Sequence, residues 1–149
     1  MNRTTPTTIE NLNQLLADAT VFYQKVRHYH WNVSGPHFYQ VHELFESLYE
    51  AWSEAIDDIA ERIVQLGGVP HHTLADILAL STLTEDPEIP SGEVMLERTL
   101  ADLRLLRGEM EAAAKVAEAQ ADRVTAGLID GLCTVTEKNL WMIGATLTA

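Results

Sequence analysis

The chain is short of cations, of cysteine and of long apolar runs, and each shortage removes a class of function. Seven arginines and three lysines face twenty-two acidic residues across 149 positions, for a formal net charge of −12. The basic residues are scattered from Arg3 to Lys138, with no cluster at either terminus, so the phosphates of nucleic acid should be repelled rather than held. The single Cys133 excludes an internal disulfide and falls in an apolar helical pattern, where a thiol is ordinarily a buried, inert residue. No stretch approaches the roughly 20 uninterrupted apolar residues of a membrane span, and the opening MNRTTPTT lacks the apolar core of a signal peptide. A cytoplasmic location with no membrane partner is the expectation. Period-two alternation, internal repeats and low-complexity segments are missing too, which leaves an all-α chain.

What is present is helical patterning. A 46% apolar content over 149 residues suits one domain with a substantial core, preceded by a short tail at 1–7. Thr7-Thr8-Ile9-Glu10 fits a capping box, and Ile9, Leu12, Leu15, Leu16, Ala19, Phe22, Tyr23 and Val26 follow at helical spacing, predicting a first helix to about Asn32. After the short link Val33-Ser34-Gly35-Pro36, a second helix is predicted from Pro36, in its first turn, to Leu66, stopped by Gly67-Gly68 with Pro70 beyond. So short a link makes the two helices antiparallel neighbours. A long connection over 71–92 carries one apolar segment, Leu74 to Leu83, read as a small helix at a subunit contact. Further helices are predicted from near Ser91 to Ala119 and from near Asp122 to Ala145. The architecture is a four-helix bundle with a crossover, bearing the short extra helix, between helices two and three.

The chemistry concentrates in residues 28–62, where four of the six histidines fall within the first fifteen positions. On the second helix His42 and Glu46 lie four apart on one face, and Asp57 and Glu61 repeat the spacing. Taken singly, either pair is more simply an exposed polar pair. As chelators they cannot share an ion within one helix: fifteen residues separate His42 from Asp57, roughly 22 Å at 1.5 Å per residue, against about 2.0–2.2 Å from ligand to metal. A second, antiparallel copy related by a twofold axis would bring His42 and Glu46 of one chain against Asp57 and Glu61 of the other, twice. The antiparallel first helix places His30 beside His42 as a third candidate. His28, in the same last turns, fits a packing or dipole role, and His37 a surface or end-capping one. The adjacent His71 and His72 point apart and read as solvated loop. Histidine with carboxylate suits Fe(II), Zn(II), Mn(II) or Co(II). No glutamate is followed three positions later by histidine, so this is not an ordinary four-helix di-iron carboxylate site.

HWNVSGPHF, HELFE, DDIAERI and LGGVP, in this order and spacing, closely resemble the signature of the Dps family, the mini-ferritins also called DNA-binding proteins from starved cells; the likeness extends to TEKNLWM near the C-terminus. It implies a ferritin-like fold and a hollow homododecamer. Each twofold interface would carry two ferroxidase centres that oxidise Fe(II), typically with hydrogen peroxide, with ferric iron stored inside and oxidative damage thereby limited. It matches His30, His42 and Glu46 to the ligands of one subunit and Asp57 and Glu61 to those of its partner. Trp31 matches a tryptophan beside the family's centre, a radical trap or a packing residue. The sequence departs from the family at the threefold pore for iron passage, where Asp122 and Asp130 remain but Gly127 stands between them without a carboxylate. It also lacks the lysine-rich tail that often binds DNA, so direct binding should be weak or absent. His71 and His72, and Thr136, are unusual for the family, and the histidine pair keeps open an additional metal site. Two other functions compete: a nucleoid-binding protein that protects physically, and a storage shell for zinc or another metal at the same ligands.

Overall fold

A computed structural model describes residues 7–148, so the expected tail lies, Thr7 apart, outside the described residues. Five helices are present among them and no strand: α1 (Thr8–Asn32), α2 (Phe38–Gln65), α3 (Leu74–Leu80), α4 (Gly92–Ala119) and α5 (Arg123–Leu147). The four long helices and the short one in the crossover match the expected ferritin-like bundle.

Contacts fix the directions. Phe22 meets Trp52 and Tyr29 meets Phe45, at ring separations of 5.2 and 5.6 Å, so α1 and α2 run antiparallel. Lys25 pairs with Asp102 at 2.9 Å and Thr8 donates to Gln120 at 2.8 Å, so α4 also opposes α1. Arg107 to Glu137 closes the α4–α5 pair, likewise antiparallel. Because α2 and α4 run the same way, the chain must recross the whole bundle between them, and α3 lies on that path against α1. The seam holds Phe22, Tyr29, Phe45, Met95, Leu103 and Met110, all essentially inaccessible to solvent. Each such side chain contributes about 1.5–3 kcal/mol relative to exposure.

The helix ends follow local chemistry. The Thr7–Glu10 capping box forms as expected, and Thr73, Ser91 and Asp122 each cap a later helix through the side chain. At the end of α2, Gly67 takes φ +84°, with Gly67 N–H bonded to Val64 and Gly68 N–H to Ile63, a Schellman turn. Gly68 serves a different need: a Cβ there would sit 2.9 Å from Ile9. Two boundaries differ from expectation. α2 begins at Phe38, not at Pro36, because Phe38 N–H closes a turn onto Gly35 and His37 takes φ +62°, which cannot continue a helix. α3 stops at Leu80 rather than Leu83, because the next backbone donors are captured elsewhere.

Their captor is Asp18, fully buried in the middle of an apolar run. Its carboxylate accepts from Thr82 N–H (2.6 Å), Leu83 N–H (2.9 Å) and Ser81 Oγ (2.7 Å). Burial would raise its pKa, but hydrogen bonds from Glu109, Gln14, Leu83 and Ser81 outweigh that and hold it at about 2. Glu109 on α4 behaves oppositely: burial first, then its hydrogen bond to Asp18 and the repulsion of that charge, push it up to about 9. A proton on Glu109 gives its otherwise partnerless buried Oε2 a hydrogen to donate. Since Glu109 is protonated in the fold above its ordinary value of 4.5, its stabilisation is complete below that pH and is lost as pH rises through 9. Asp18 contributes above its ordinary 3.8 and loses this as pH falls through 2. Glu109→Gln, which cannot ionise, should therefore gain in melting temperature on the parent as pH rises from 5 to 9, by several degrees at the alkaline end. Thermal unfolding followed by circular dichroism across that range checks it; parallel curves for the two proteins would contradict the shared proton.

Candidate metal site

The end of α1 and the start of α2 are joined by five residues, and the turn that reverses the chain depends on Gly35 at φ +94° and His37 at φ +62°. No atom lies within 4 Å of where a Cβ on Gly35 would stand, so glycine is needed there for its backbone and not for space. This reversal sets His30, in the last turn of α1, against His42 on α2.

The two imidazoles stack at 3.8 Å between centroids, 17° from parallel. Each is tied to the other's backbone: His30 Nδ1 lies 2.8 Å from the carbonyl of His42, and His42 Nδ1 lies 2.7 Å from the carbonyl of His30. A carbonyl oxygen only accepts, so both Nδ1 atoms must carry the hydrogen. In the neutral rings both Nε2 atoms are then lone-pair donors, the state in which a histidine binds a metal through Nε2. Phe38 covers His42 at 5.0 Å, and Tyr49 meets His30 edge-on at 5.3 Å. His30 is only 9% exposed, so its ring is held by packing as well as by hydrogen bonding.

Glu46 follows one turn after His42 and is half-buried, whereas Asp57 and Glu61 are exposed near the far end of the same unbroken helix. None of the three carboxylates has a salt bridge among the described residues. Arg62, beside Glu61, is engaged by Asp122 at 2.9 Å and by Thr125. Among the described residues of one chain, no three of histidine, cysteine, aspartate or glutamate gather as a metal-holding group. The structure thus brings together His30 and His42, and helical rise along the unbroken α2 keeps Asp57 roughly 22 Å and Glu61 roughly 28 Å from His42.

The remaining candidates separate by environment. Trp31 is 57% exposed with the Arg27 guanidinium 4.9 Å above its ring. Asp122 is the N-cap of α5, bonded to Thr125 and paired with Arg62, while Asp130 is exposed two turns on; the two share no contact. His71 and His72 are exposed, and His72 donates from Nδ1 to the carbonyl of Pro70. His37 stands at the N-cap of α2 but its side chain caps nothing. His28 donates from Nε2 to the carbonyl of Glu88 at 2.8 Å, tying α1 to the crossover, and is therefore not free as a donor through that atom. Sequence reasoning missed Tyr49, whose place three residues after Glu46 and seven after His42 puts it on the same stripe.

The chain resembles known proteins in sequence and in fold. Residues 9–149 match the ferritin-like domain family. The DNA protection during starvation protein 2 of Bacillus anthracis is 37% identical over 139 residues, 93% of this chain and 95% of that protein. The Helicobacter pylori DNA protection during starvation protein is 36% identical over 141 residues, covering 94% and 98%. Among solved structures, a Dps protein from Bacillus brevis superposes with a TM-score of 0.92 at 37% identity, over 95% of both chains. A Dps protein from Vibrio cholerae, described as one of a superfamily of ferritin-like diiron-carboxylate proteins, does so at 0.92 and 30% identity, over 95% of this chain and 89% of its own.

The left-handed turn is the first requirement of the histidine pair. Gly35→Ala should destabilise the fold by about 1–2 kcal/mol, a fall in melting temperature of roughly 2–5 °C, and Gly35→Asn should recover part of it. Thermal unfolding by circular dichroism checks this; an unchanged transition for Gly35→Ala would mean the turn does not need its positive φ.

Proposed function

The chain belongs to the Dps family of ferritin-like proteins, and from that premise we propose that it is a ferroxidase and iron store whose centres form only between two chains. His30, His42 and Glu46 of one chain, with Asp57 and Glu61 of a twofold partner, bind Fe(II) as substrate. Hydrogen peroxide is the oxidant: two ferrous ions give one electron each, the O–O bond breaks, and with two protons the products are two waters and two ferric ions. No hydroxyl radical leaves such a paired step, so storage and protection are one activity. Ferric iron accumulates inside a homododecamer.

The single observation that carries this reading is the reciprocal locking of His30 and His42, which fixes both Nε2 atoms as lone-pair donors. Orienting a metal-binding imidazole by hydrogen-bonding its other nitrogen to a carbonyl is the usual requirement of such sites. The exposed His72 makes one such bond, to Pro70 two residues back, but only His30 and His42 make it reciprocally between two helices. The carboxylates support the second half of the reading. Asp57 and Glu61 have no salt-bridge partner among the described residues, so no described cation competes for them. Uncovered apolar side chains support assembly: Leu74 and Leu78 on α3, Val64 and Val69 near the end of α2, and Trp141 on α5 are all exposed in the single chain. A centre short of ligands and open to solvent suits an ion that must bind, react and move on, better than a closed four-ligand one does. The net charge of −12 favours cations over DNA as cargo.

The test is anaerobic loading with Fe(II) followed by peroxide, read from the absorbance of ferric iron. Asp57→Ala combined with Glu61→Ala should slow oxidation at least about tenfold, with helicity and assembled size unchanged. Oxidation at the parent rate would remove these residues from the centre. Elemental analysis of protein purified without added metal separates an iron protein from a shell for zinc.

A further inference from the structure

The imidazole of His42 lies inside a stack of three rings. On one face His30 stands 3.8 Å away between centroids, 17° from parallel; on the other Phe38 stands 5.0 Å away, 25° from parallel. His30 has no second face covered in this way, since its other neighbour, Tyr49, meets it at 73° and 5.3 Å. Phe38 owes its place to the start of α2: it is the first residue of that helix, four before His42, so the two side chains share one stripe. It is not a core residue. Phe38 is 42% exposed, whereas Phe22, Tyr29 and Phe45 in the seam are wholly buried.

The stack has an electrostatic consequence once a cation is bound. A divalent ion on Nε2 draws electron density from the imidazole and leaves the ring positively polarised. Both rings of the pair would be polarised in the same sense, and like charge held 3.8 Å apart repels. The face of a phenylalanine ring is the negative end of a quadrupole. Positive charge within about 6 Å of such a face is attracted to it, and the ring of His42 meets that limit at 5.0 Å. Toward a neutral imidazole the same face offers packing alone. Phe38 therefore favours the metal-bound pair over the empty one, and that difference is what sets affinity.

We propose that Phe38 stabilises the metal-bound form of the histidine pair, by presenting its ring face to the positive charge that a divalent cation induces in His42. This rests on the reading of His30 and His42 as ligands given above. Phe38 does not touch the ion and is a positioning residue, acting through His42.

The experiment replaces Phe38 site-specifically with mono-, di- and trifluorinated phenylalanine, which keep the shape of the ring closely while draining its face of negative charge step by step. Co(II) is titrated into each assembled protein without oxidant, and binding is read from its visible absorption. Affinity should fall in order along the series, to about two- to fivefold below the parent at three fluorines. The melting temperature and the Nδ1–H resonances of the two histidines in the metal-free protein should stay as in the parent, which separates the charge effect from a loss of structure. Phe38→Leu, an apolar side chain with no ring, should lose at least as much affinity. The same affinity across the fluorinated series overturns the proposal, whatever Phe38→Leu does, and leaves Phe38 as packing. If that series is flat while the parent still oxidises iron with peroxide, the ferroxidase reading stands without it. If Co(II) binds the parent no better than it binds a variant carrying His30→Ala with His42→Ala, both fall.

Discussion

Two hydrogen bonds, from His30 to the carbonyl of His42 and from His42 to the carbonyl of His30, are the constraint on which the rest of the site depends. They do three things at once. They fix the hydrogen on Nδ1 of each ring, they clamp the end of α1 to the start of α2, and they leave both Nε2 atoms as electron-pair donors. The backbone carbonyl of His42 is normally available to an amide four residues on, so one acceptor serves a helix and a ring together, as the two lone pairs of a carbonyl allow. The turn at Gly35 and His37 is strained for any residue but glycine at the first position, and its result is this clamp.

The same economy governs the crossover. A chain that must run the length of the bundle between α2 and α4 has few backbone partners of its own, and buried carboxylates supply them. Asp18 takes the donors of Ser81, Thr82 and Leu83, while Asp86 takes those of Tyr29 and Arg98. His28 donates to Glu88 in the same stretch. Each of these groups is costly to bury unless satisfied, and each is satisfied by the segment it anchors. The cost of placing Glu109 beside Asp18 is met by a proton. The crossover is thus held on α1, where α3 keeps an apolar outer face turned away from the bundle.

Much of this was legible in the sequence, and the limits are physical. The capping box at Thr7, the glycine stop after α2 and the four-residue spacings of His42 with Glu46 and of Asp57 with Glu61 are local patterns, and local patterns survive folding. The separation of the two pairs along one helix follows from helical rise alone. The beginning of α2 was misjudged because Pro36 suits the first turn of a helix, and nothing local announces that His37 will adopt a left-handed backbone. The end of α3 was misjudged because its terminating partner, Asp18, is some sixty residues away. The ring-to-carbonyl bonds of the histidine pair depend on how two helices sit against each other, which spacing does not encode. Asp122, expected at an iron passage, also caps α5 and holds Arg62, and the second of these is a contact made only in three dimensions.

The central claim is that no chain owns a complete centre, and subunit mixing tests it most directly. One variant carries His30→Ala with His42→Ala, the other Asp57→Ala with Glu61→Ala, and each alone should be inactive toward Fe(II) and peroxide. In a mixed dimer one centre gathers both damaged halves and the other gathers both native halves. Dissociating the two proteins, reassembling them in equal amounts and measuring iron oxidation should restore roughly a quarter of the parent rate, because about half of random dimers are mixed and one of their two centres is intact. A reassembled mixture as inactive as its components would contradict the account.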